Sequence, residues 1–249
     1  MKNLIDYISD NITEGFKIGK TKAKKNIEYS FTPKNKIELI NIIAEKILKN
    51  NFKFDDIDTS NITDMSFLFK SLYGSRATFK TITSLDLSSW DVSNVTNMKF
   101  MFDSLYSLEE LNISGWTTGS VKNFDYMFEY CENLTNIIGI ENLNTSSAIS
   151  LEGMFKNCKS INELDLSKWD TSSCTNLISM FEDCLELKTI GDISKWDTKK
   201  IKAMSWMFYA CDKLKNVDGM DKWNVSNVKD MESIFDDCTS LVNIPKWYK

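Results

Sequence analysis

The chain has 249 residues, of which 42% are hydrophobic and 26% charged, and its formal net charge is −5. Histidine is absent and arginine occurs once, so the commonest general base near neutral pH and a principal zinc ligand are missing, and a nucleic-acid partner is not expected. No stretch approaches 18 apolar residues, so membrane insertion is not predicted either.

The N-terminal 56 residues contain two predicted helices separated by a basic segment. Residues 1–12 have the pattern of a short amphipathic helix, and residues 15–25 are rich in lysine. The sequence Phe31-Thr32-Pro33 predicts a second helix, with Thr32 as N-cap and Pro33 in the first position. Its predicted apolar stripe consists of Ile37, Ile40, Ile43, Ala44 and Ile47.

Two roles for residues 1–56 stay open at this stage. A stack of repeats needs a cover over its first turn, which favours an N-terminal helical cap. The alternative is a docking module whose lysines contact an acidic partner.

From residue 57 to 249 the chain is repetitive. Phenylalanine recurs at spacings of 33, 26, 27, 26, 27 and 27, at positions 69, 102, 128, 155, 181, 208 and 235. A fixed period of this size indicates one small structural unit that is repeated and stacked. The sequence therefore predicts an N-terminal cap over 1–56 and an α/β repeat of about seven units over 57–249.

Each unit is predicted to contain a short helix and a short strand. Apolar columns at Met65, Leu68 and Phe69 and their equivalents have spacings of three and one, which is typical of one helix face. The run Leu108-x-x-Leu111-x-Ile113 ends in period-two alternation, which indicates a half-buried strand. The three internal 27-residue units carry a glycine near the strand end, which is typical of a bulge at Gly139, Gly191 and Gly219.

A polar turn precedes each predicted helix. Asp91, Asp170 and Asp197 in this turn are expected to accept hydrogen bonds from the N–H groups that follow. A calcium ladder is the alternative, but Thr117, Asn144 and Asn224 occupy the same column, so the column is not uniformly anionic and capping is favoured.

The six cysteines also follow the period. Cys131, Cys158, Cys184, Cys211 and Cys238 lie three residues after the repeat phenylalanines, and Cys174 falls in an Ile/Val column. We expect them to be small hydrophobic core residues with free thiols. In-register side chains point the same way, which does not favour disulfides.

The motif Trp90-Asp-Val-Ser-Asn-Val-Thr-Asn-Met-x-x-Met-Phe102, with the Cys and Leu-x-x-Leu-x-Leu-Ser that follow in later units, resembles the BspA-type leucine-rich-repeat surface-protein family. The same repeat is described from mycoplasma lipoproteins. The resemblance covers about residues 57–247. It implies a right-handed, leucine-rich-repeat-like solenoid of strand–helix units. It also implies a host-interaction or adhesion role without catalytic residues, metal or cofactor.

The beginning of the chain departs from that family. Met-Lys-Asn-Leu-Ile-Asp-Tyr-Ile has no continuous apolar stretch, cleavage site or lipobox cysteine. We therefore expect a cytoplasmic or phage-associated protein, exposed at a surface only if carried on a particle or exported by another route. Signal-less relatives encoded by bacteriophages are part of the resemblance.

The candidate binding residues are those that the period does not explain. They are an insertion around Arg76 in the first unit and strand residues expected to face solvent, without an aromatic cluster among them. The candidates for contact with a protein partner are Arg76, Asp86, Glu109, Glu110, Asn112, Glu163, Asp165, Lys188 and Lys215.

Three classes of function compete for this chain. A non-enzymatic protein-binding solenoid is favoured, and a structural or decoration component of a phage particle or cell surface is the alternative. An enzyme is a weaker reading, because the carboxylate, serine and lysine residues all recur at repeat positions. The sequence indicates neither the partner's identity nor the oligomeric state.

Overall fold

The computed structural model describes residues 21–22, 28–72 and 82–248. Strands β1 (Thr21–Lys22) and β2 (Glu28–Tyr29) pair antiparallel, and helix α1 spans Lys36–Leu48. Strands β3 (Ser84–Asp86), β4 (Glu110–Asn112) and β5 (Asn136–Ile138) form a parallel sheet. Short 3₁₀ turns lie at Lys70–Leu72, Ile140–Asn142 and Met220–Lys222. The predicted helix over 1–12, the basic segment up to Lys20 and the insertion around Arg76 lie outside the described residues.

Helix α1 begins three residues later than the sequence pattern predicted. Its N-cap is Asn35, whose side chain accepts the Glu38 N–H at 3.0 Å, while the Glu38 carboxylate accepts the Lys34 N–H at 2.9 Å. The prediction of Thr32 as N-cap with Pro33 in the first position is therefore wrong. The Asn35 side chain satisfies one free N–H group at the start of the helix. Glu38 accepts the N–H of Lys34 and not that of the N-cap Asn35, so the arrangement differs from a capping box by one residue.

The buried face of α1 also differs from the predicted stripe. Ile37 is 68% exposed, whereas Leu39 and Ile42 are buried together with Ile40, Ile43, Ala44 and Ile47. The later helix start leaves Ile37 in the first turn, on the solvent side. At the other end of the helix the buried Lys46 ammonium contacts Asp56 and donates to the Lys53 carbonyl, which ties α1 to the start of the repeats.

The segments predicted as short helices are stacked turns. The N–H groups of Met65, Phe67 and Phe69 donate to carbonyls of the next unit, those of Asn97, Lys99 and Met101, at 2.8–2.9 Å. An α-helix would direct these groups to carbonyls four residues earlier in the same unit. The helix prediction is wrong for every described unit, because hydrogen bonds between units replace those within a helix.

A left-handed residue in each turn makes this geometry possible. The φ angle is between 51° and 58° at seven equivalent positions, only one of which is glycine: Phe67, Phe100, Tyr126, Gly153, Ser179, Trp206 and Ser233. A left-handed residue interrupts the right-handed helix and turns alternate N–H groups toward the neighbouring unit. Parallel bridges follow from Asp64 through Asn97, Asn123, Ser150, Asn176 and Ala203 to Asp230.

The apolar columns form one continuous core, whose centre is the phenylalanine column. Consecutive rings from Phe69 to Phe235 stack with centroids 5.2–5.7 Å apart. The 33-residue step from Phe69 to Phe102 is a single step of this stack at 5.3 Å, so its extra residues lie between Leu72 and Ile82. The structure is therefore a repeat-type fold.

Buried donors join each unit to its predecessor. Cys158 Sγ donates to the Phe128 carbonyl at 3.1 Å, and Cys131, Cys184, Cys211 and Cys238 make the equivalent bond. Trp169 Nε1 donates to the Ile140 carbonyl at 3.0 Å, and five other tryptophans do the same. The thiols are free, and five of the six cysteines are buried while Cys238 is half-buried.

The strand prediction is confirmed in part. Strands β3, β4 and β5 are in register, Ser84 with Glu110 and Glu110 with Asn136. Later units contribute one isolated bridge, Glu163–Thr189. The sheet ends where Gly139 adopts φ +96°, and Gly191 and Gly219 adopt φ +80° and +88°. These positive angles fit the predicted bulges, since glycine has no Cβ to oppose them.

Helix α1 and the repeats share one hydrophobic core, since Leu39 and Ile43 belong to the same cluster as Phe54, Ile57 and Phe69. The division of the chain at residue 56 stays a prediction.

Candidate functional site

The candidate strand residues lie on one face, which we call the sheet side. It comprises β3, β4, β5 and the equivalent positions of later units. Asp86, Glu109, Glu110, Glu163, Asp165, Lys188 and Lys215 are exposed and Asn112 is half-buried. Asp86 lies beside Asn112 and Ser84 beside Glu110 on neighbouring strands. Arg76 lies outside the described residues, so its place relative to this face stays a prediction.

Three of these candidate residues also stabilise the turns that follow their strands. Asp86, Asn112 and Asp165 each accept the N–H of the residue two positions later, at 3.0–3.1 Å. Hydrogen bonds to Ser88 lower the pKa of Asp86, and bonds to Ser167 lower that of Asp165. Both carboxylates are thus ionised at neutral pH and shape the turn that follows the strand.

The predicted capping column behaves in the same way. Asp91, Asp170 and Asp197 accept N–H groups two residues later, at 2.9–3.1 Å. Asn144 and Asn224 in the same column make the equivalent bonds. These side chains close turns, as the sequence predicted, although no helix follows them.

Charge changes sign along the sheet side. The early units contribute Asp86, Glu109 and Glu110, and the middle unit contributes Glu163 and Asp165. In later units the column that holds Glu109 contains two lysines, Lys188 and Lys215. Backbone hydrogen bonds place them there, since the Lys188 N–H donates to the Asn162 carbonyl and the Lys215 carbonyl accepts the Val242 N–H. The candidates are therefore distributed along the stack and do not converge on one point.

Two cavities lie on the described sheet side, and we call the first one the notch. It lies between β5 and residues 161–165 and has a volume of about 200 Å³. Ile137, Ile140 and Leu164 line its apolar part, and Glu141, Glu163 and Asp165 contribute carboxylates. A second cavity, of about 290 Å³, lies near Asp218, Asp221 and Lys246. Its carboxylates therefore have a lysine beside them.

The opposite face, which we call the turn face, carries the left-handed residues. Its rings Phe67, Phe100 and Tyr126 stack with centroids 4.9 and 4.8 Å apart, and Phe67 is 39% exposed. The Lys70 ammonium lies 4.3 Å from the Phe100 ring centroid. The expectation of no aromatic cluster concerned strand positions only, and these rings lie at turn positions. The sequence feature that indicates this stack is the aromatic residue at each of the equivalent positions 67, 100 and 126.

A column of charged side chains runs beside this aromatic stack. Lys70 pairs with Asp103, which is 1% exposed, and Lys156 pairs with Glu182 at 2.8 Å. Glu129 lies between these pairs. Burial and the neighbouring Asp103 raise the pKa of Glu129 to about 7, against the opposing effects of Lys156 and Lys70.

The described residues contain no group of three or more His, Cys, Asp or Glu side chains placed to hold a metal ion. Burial raises the pKa of Cys238 to about 11 and raises that of Cys158 and Cys211 well above the ordinary value. These thiols are therefore protonated and weakly nucleophilic. Among the described helices, none has the length and apolar character to span a membrane.

Three solved structures illustrate what the chain resembles. A leucine-rich cell surface protein from Faecalibacterium prausnitzii is 18% identical over 65% of this chain and 38% of its own, with a TM-score of 0.43. A leucine-rich-repeat protein from Eubacterium ventriosum is 15% identical over 68% and 44%, with a TM-score of 0.45. The T. pallidum leucine-rich-repeat protein is 17% identical over 65% and 79%, with a TM-score of 0.39. The chain thus spans less than half the length of the first two proteins.

No curated protein matches the chain. A family model described as "Mycoplasma protein of unknown function, DUF285" matches residues 38–162 and 135–247. Together these matches extend over the repeats and most of helix α1, which is more than half of the chain. The chain therefore belongs to this DUF285 family of repeat proteins.

Proposed function

We propose that this chain is a non-enzymatic protein-binding scaffold. In this proposal the stack is a right-handed, leucine-rich-repeat-like solenoid of about seven units of 26–27 residues, and residues 1–56 cap its first turn. The sheet side is the binding surface. Stacked repeats form extended surfaces of this kind, on which the solvent-facing positions vary from unit to unit.

The observation that carries the proposal is the contrast between buried and exposed columns. Buried columns are apolar in every unit, whereas sheet-side positions range from Glu109 and Glu110 to Lys188 and Lys215. Internal packing does not require this variation, since these side chains are exposed. Exposed charge of changing sign along one face provides specificity for a partner of complementary charge.

A charge-reversal experiment tests the proposal. The full chain is used to capture proteins from its native host, beside a variant with lysine at Glu109, Glu110 and Glu163. A control variant carries the same change of charge at Glu186, Glu232 and Asp236, which are exposed and lie off the sheet side. We expect the control to retain a captured partner that the sheet-side variant loses.

Two outcomes would contradict this function. One is a partner that both variants retain, and the other is repeated failure to capture any protein while the purified chain turns over a metabolite. Fractionating the host and its phage particles in the same experiment shows where the partner resides. Stoichiometric copies in purified particles would favour the structural alternative.

A further inference from the structure

The notch is the one place on the described sheet side where a break in the backbone ladder coincides with a cavity lined by unbalanced negative charge. The Thr83 carbonyl accepts N–H groups of Glu109 and Glu110, and the Glu109 carbonyl accepts those of Thr135 and Asn136. No backbone hydrogen bond joins the Thr135 carbonyl to residues 161–165 within the described chain. Thr135 is exposed and lines the notch, and its carbonyl accepts no backbone N–H from the following unit within the described chain.

The units on both sides of the notch remain in contact in the core and on the turn face. The Phe128 and Phe155 rings stack at 5.4 Å, and the Asn123–Ser150 bridge is present on the turn face. The separation is therefore confined to the sheet side, where the chain bulges at Gly139. The opening is too narrow for an added strand, because the core fixes the spacing of the two units. A side chain can enter it.

The lining of the notch selects the chemistry of that side chain. The charged groups of the lining are all carboxylates, those of Glu141, Glu163 and Asp165, and Asn136 adds a side-chain amide that can both donate and accept. No lysine or arginine of the described chain lines the notch. Ile137, Ile140 and Leu164 supply an apolar wall that suits an aliphatic stem. A cationic group on a hydrocarbon stem is complementary to both parts.

Arginine fits this lining better than lysine or a metal ion. Among the described residues these carboxylates do not form a group placed to hold a metal ion. The compact charge of a metal ion or of a lysine ammonium therefore contacts few of them. A guanidinium spreads five N–H donors over a plane and never loses its charge. The cavity is smaller than the pockets of roughly 300–1,000 Å³ that hold drug-sized ligands, which suits a single side chain.

We propose that the notch between β5 and residues 161–165 receives an arginine side chain of the protein partner. Glu163 is the principal carboxylate, because Asp165 already accepts the Ser167 N–H and Glu141 accepts the Asn142 amide. This inference rests on the proposed function, since it names the anchor by which a partner contacts the sheet side.

The test is an NMR titration of the full chain with the peptide acetyl-Gly-Arg-Gly-amide. Its matched control contains citrulline, which has nearly the shape of arginine without the charge. We expect saturable shifts of the Ile137 and Glu163 amide signals with the arginine peptide, weaker shifts with a lysine peptide, and none with citrulline. Since exposed ion pairs contribute about 0.2–1 kcal/mol each, Glu163→Gln should weaken binding up to about fivefold, and Glu186→Gln should leave it unchanged.

Equal shifts with citrulline, shifts confined to other surfaces, or undiminished binding to the Glu141→Gln/Glu163→Gln variant would overturn the inference. The capture experiment separates it from the proposed function. A partner that binds the wild type and this double variant equally refutes the notch and leaves the scaffold function standing. Arginine-specific shifts at the notch, together with repeated failure to capture a partner and turnover of a metabolite by the purified chain, refute the scaffold function instead.

Discussion

Replacing Ala210 with glycine should stabilise this protein, although glycine usually destabilises ordered segments. Ala210 adopts φ +56° and donates its N–H to the Asp236 carbonyl at 2.9 Å. An L-residue in the left-handed region costs about 1–2 kcal/mol, and glycine avoids this cost. Glycine also lowers stability by about 0.5–1 kcal/mol through backbone entropy. The net expectation for Ala210→Gly is a gain of about 0.5–1 kcal/mol in the free energy of unfolding.

Ala203 provides a matched control within the same unit. It is also half-buried and takes part in the bridge from Asn176 to Asp230, but its φ is not positive. Ala203→Gly incurs the entropy cost alone and should lose about 0.5–1 kcal/mol. The two variants should therefore differ by about 1–2 kcal/mol, which is the strain of the left-handed residue.

Urea unfolding followed by tryptophan fluorescence measures this difference. The comparison is valid while both variants keep the wild-type m-value, because a changed slope indicates an altered unfolded state or loss of two-state behaviour. If both glycine variants destabilise the protein equally, the left-handed backbone of Ala210 is not strained and the reasoning behind the predicted gain is refuted.

Three further predictions concern buried and titrating groups. Trp169→Phe removes the indole donor to the Ile140 carbonyl and should cost about 1–3 kcal/mol, measured by urea unfolding, because a buried acceptor loses its partner. In native protein Cys238 should react with a thiol reagent before the buried cysteines do, and Cys238→Ser should abolish the fast phase. Glu129→Gln should stabilise the protein increasingly as pH rises from 4.5 to 7, measured by unfolding midpoints.

The sign of the last prediction follows from linkage. The folded pKa of Glu129 is about 7 and the ordinary value is 4.5, so between these values the folded state binds more protons than the unfolded state. Stability therefore falls as pH rises through this window. Burial disfavours the ionised carboxylate of Glu129, which also faces Asp103 and Glu182 as well as Lys156 and Lys70, and glutamine removes both the cost of burying the charge and the repulsion.

Each of these three predictions has its own control or contradicting result. Trp206→Phe, at an exposed site, should change stability by less than about 0.5 kcal/mol, and an equal loss at both tryptophans would contradict the hydrogen-bond argument. Uniform reaction of all six thiols in native protein would contradict the buried cysteine column. A pH-independent difference between Glu129→Gln and wild type would show that Glu129 does not titrate in this range.

The sequence predicts the periodic part of this fold well. The phenylalanine spacing predicts the ring stack from Phe69 to Phe235, and three of the expected strands are present. These features depend on which residues are apolar and on their period. The exposure of sheet-side residues such as Glu109 and Lys188 was predicted on the same basis, while their role in binding stays a prediction.

The short helices predicted within the repeat units are absent from the described units for a physical reason, whereas helix α1 is present. Spacings of three and one, as in Met65, Leu68 and Phe69, place side chains on one side of either a helix or a stacked turn. The difference lies in the acceptors of alternate N–H groups, those of Met65 and Phe69 here, which are carbonyls 32 residues later in the next unit. Most of the left-handed positions are occupied by residues such as Phe67 and Tyr126, not by glycine, so the sequence does not indicate the turn.

The notch was beyond prediction for a related reason. It depends on a hydrogen bond that Thr135 does not make with the following unit. Gly139 indicated a bulge, but a bulge alone does not tell which neighbouring contact is lost. The carboxylate of Glu163 was selected correctly as exposed, whereas Glu141 and the apolar wall were missed.

The column of tryptophan and cysteine donors has a consequence for how such chains change in length. Each of these bonds joins residues 27 to 36 positions apart in sequence. The entropy lost on closing each loop therefore does not grow as units are added. Lengthening one closure from 26 to 33 residues costs only about 0.2 kcal/mol, which explains why the first unit tolerates its insertion. Duplication or deletion of a whole unit therefore changes the length of the surface while every remaining closure stays as short as before.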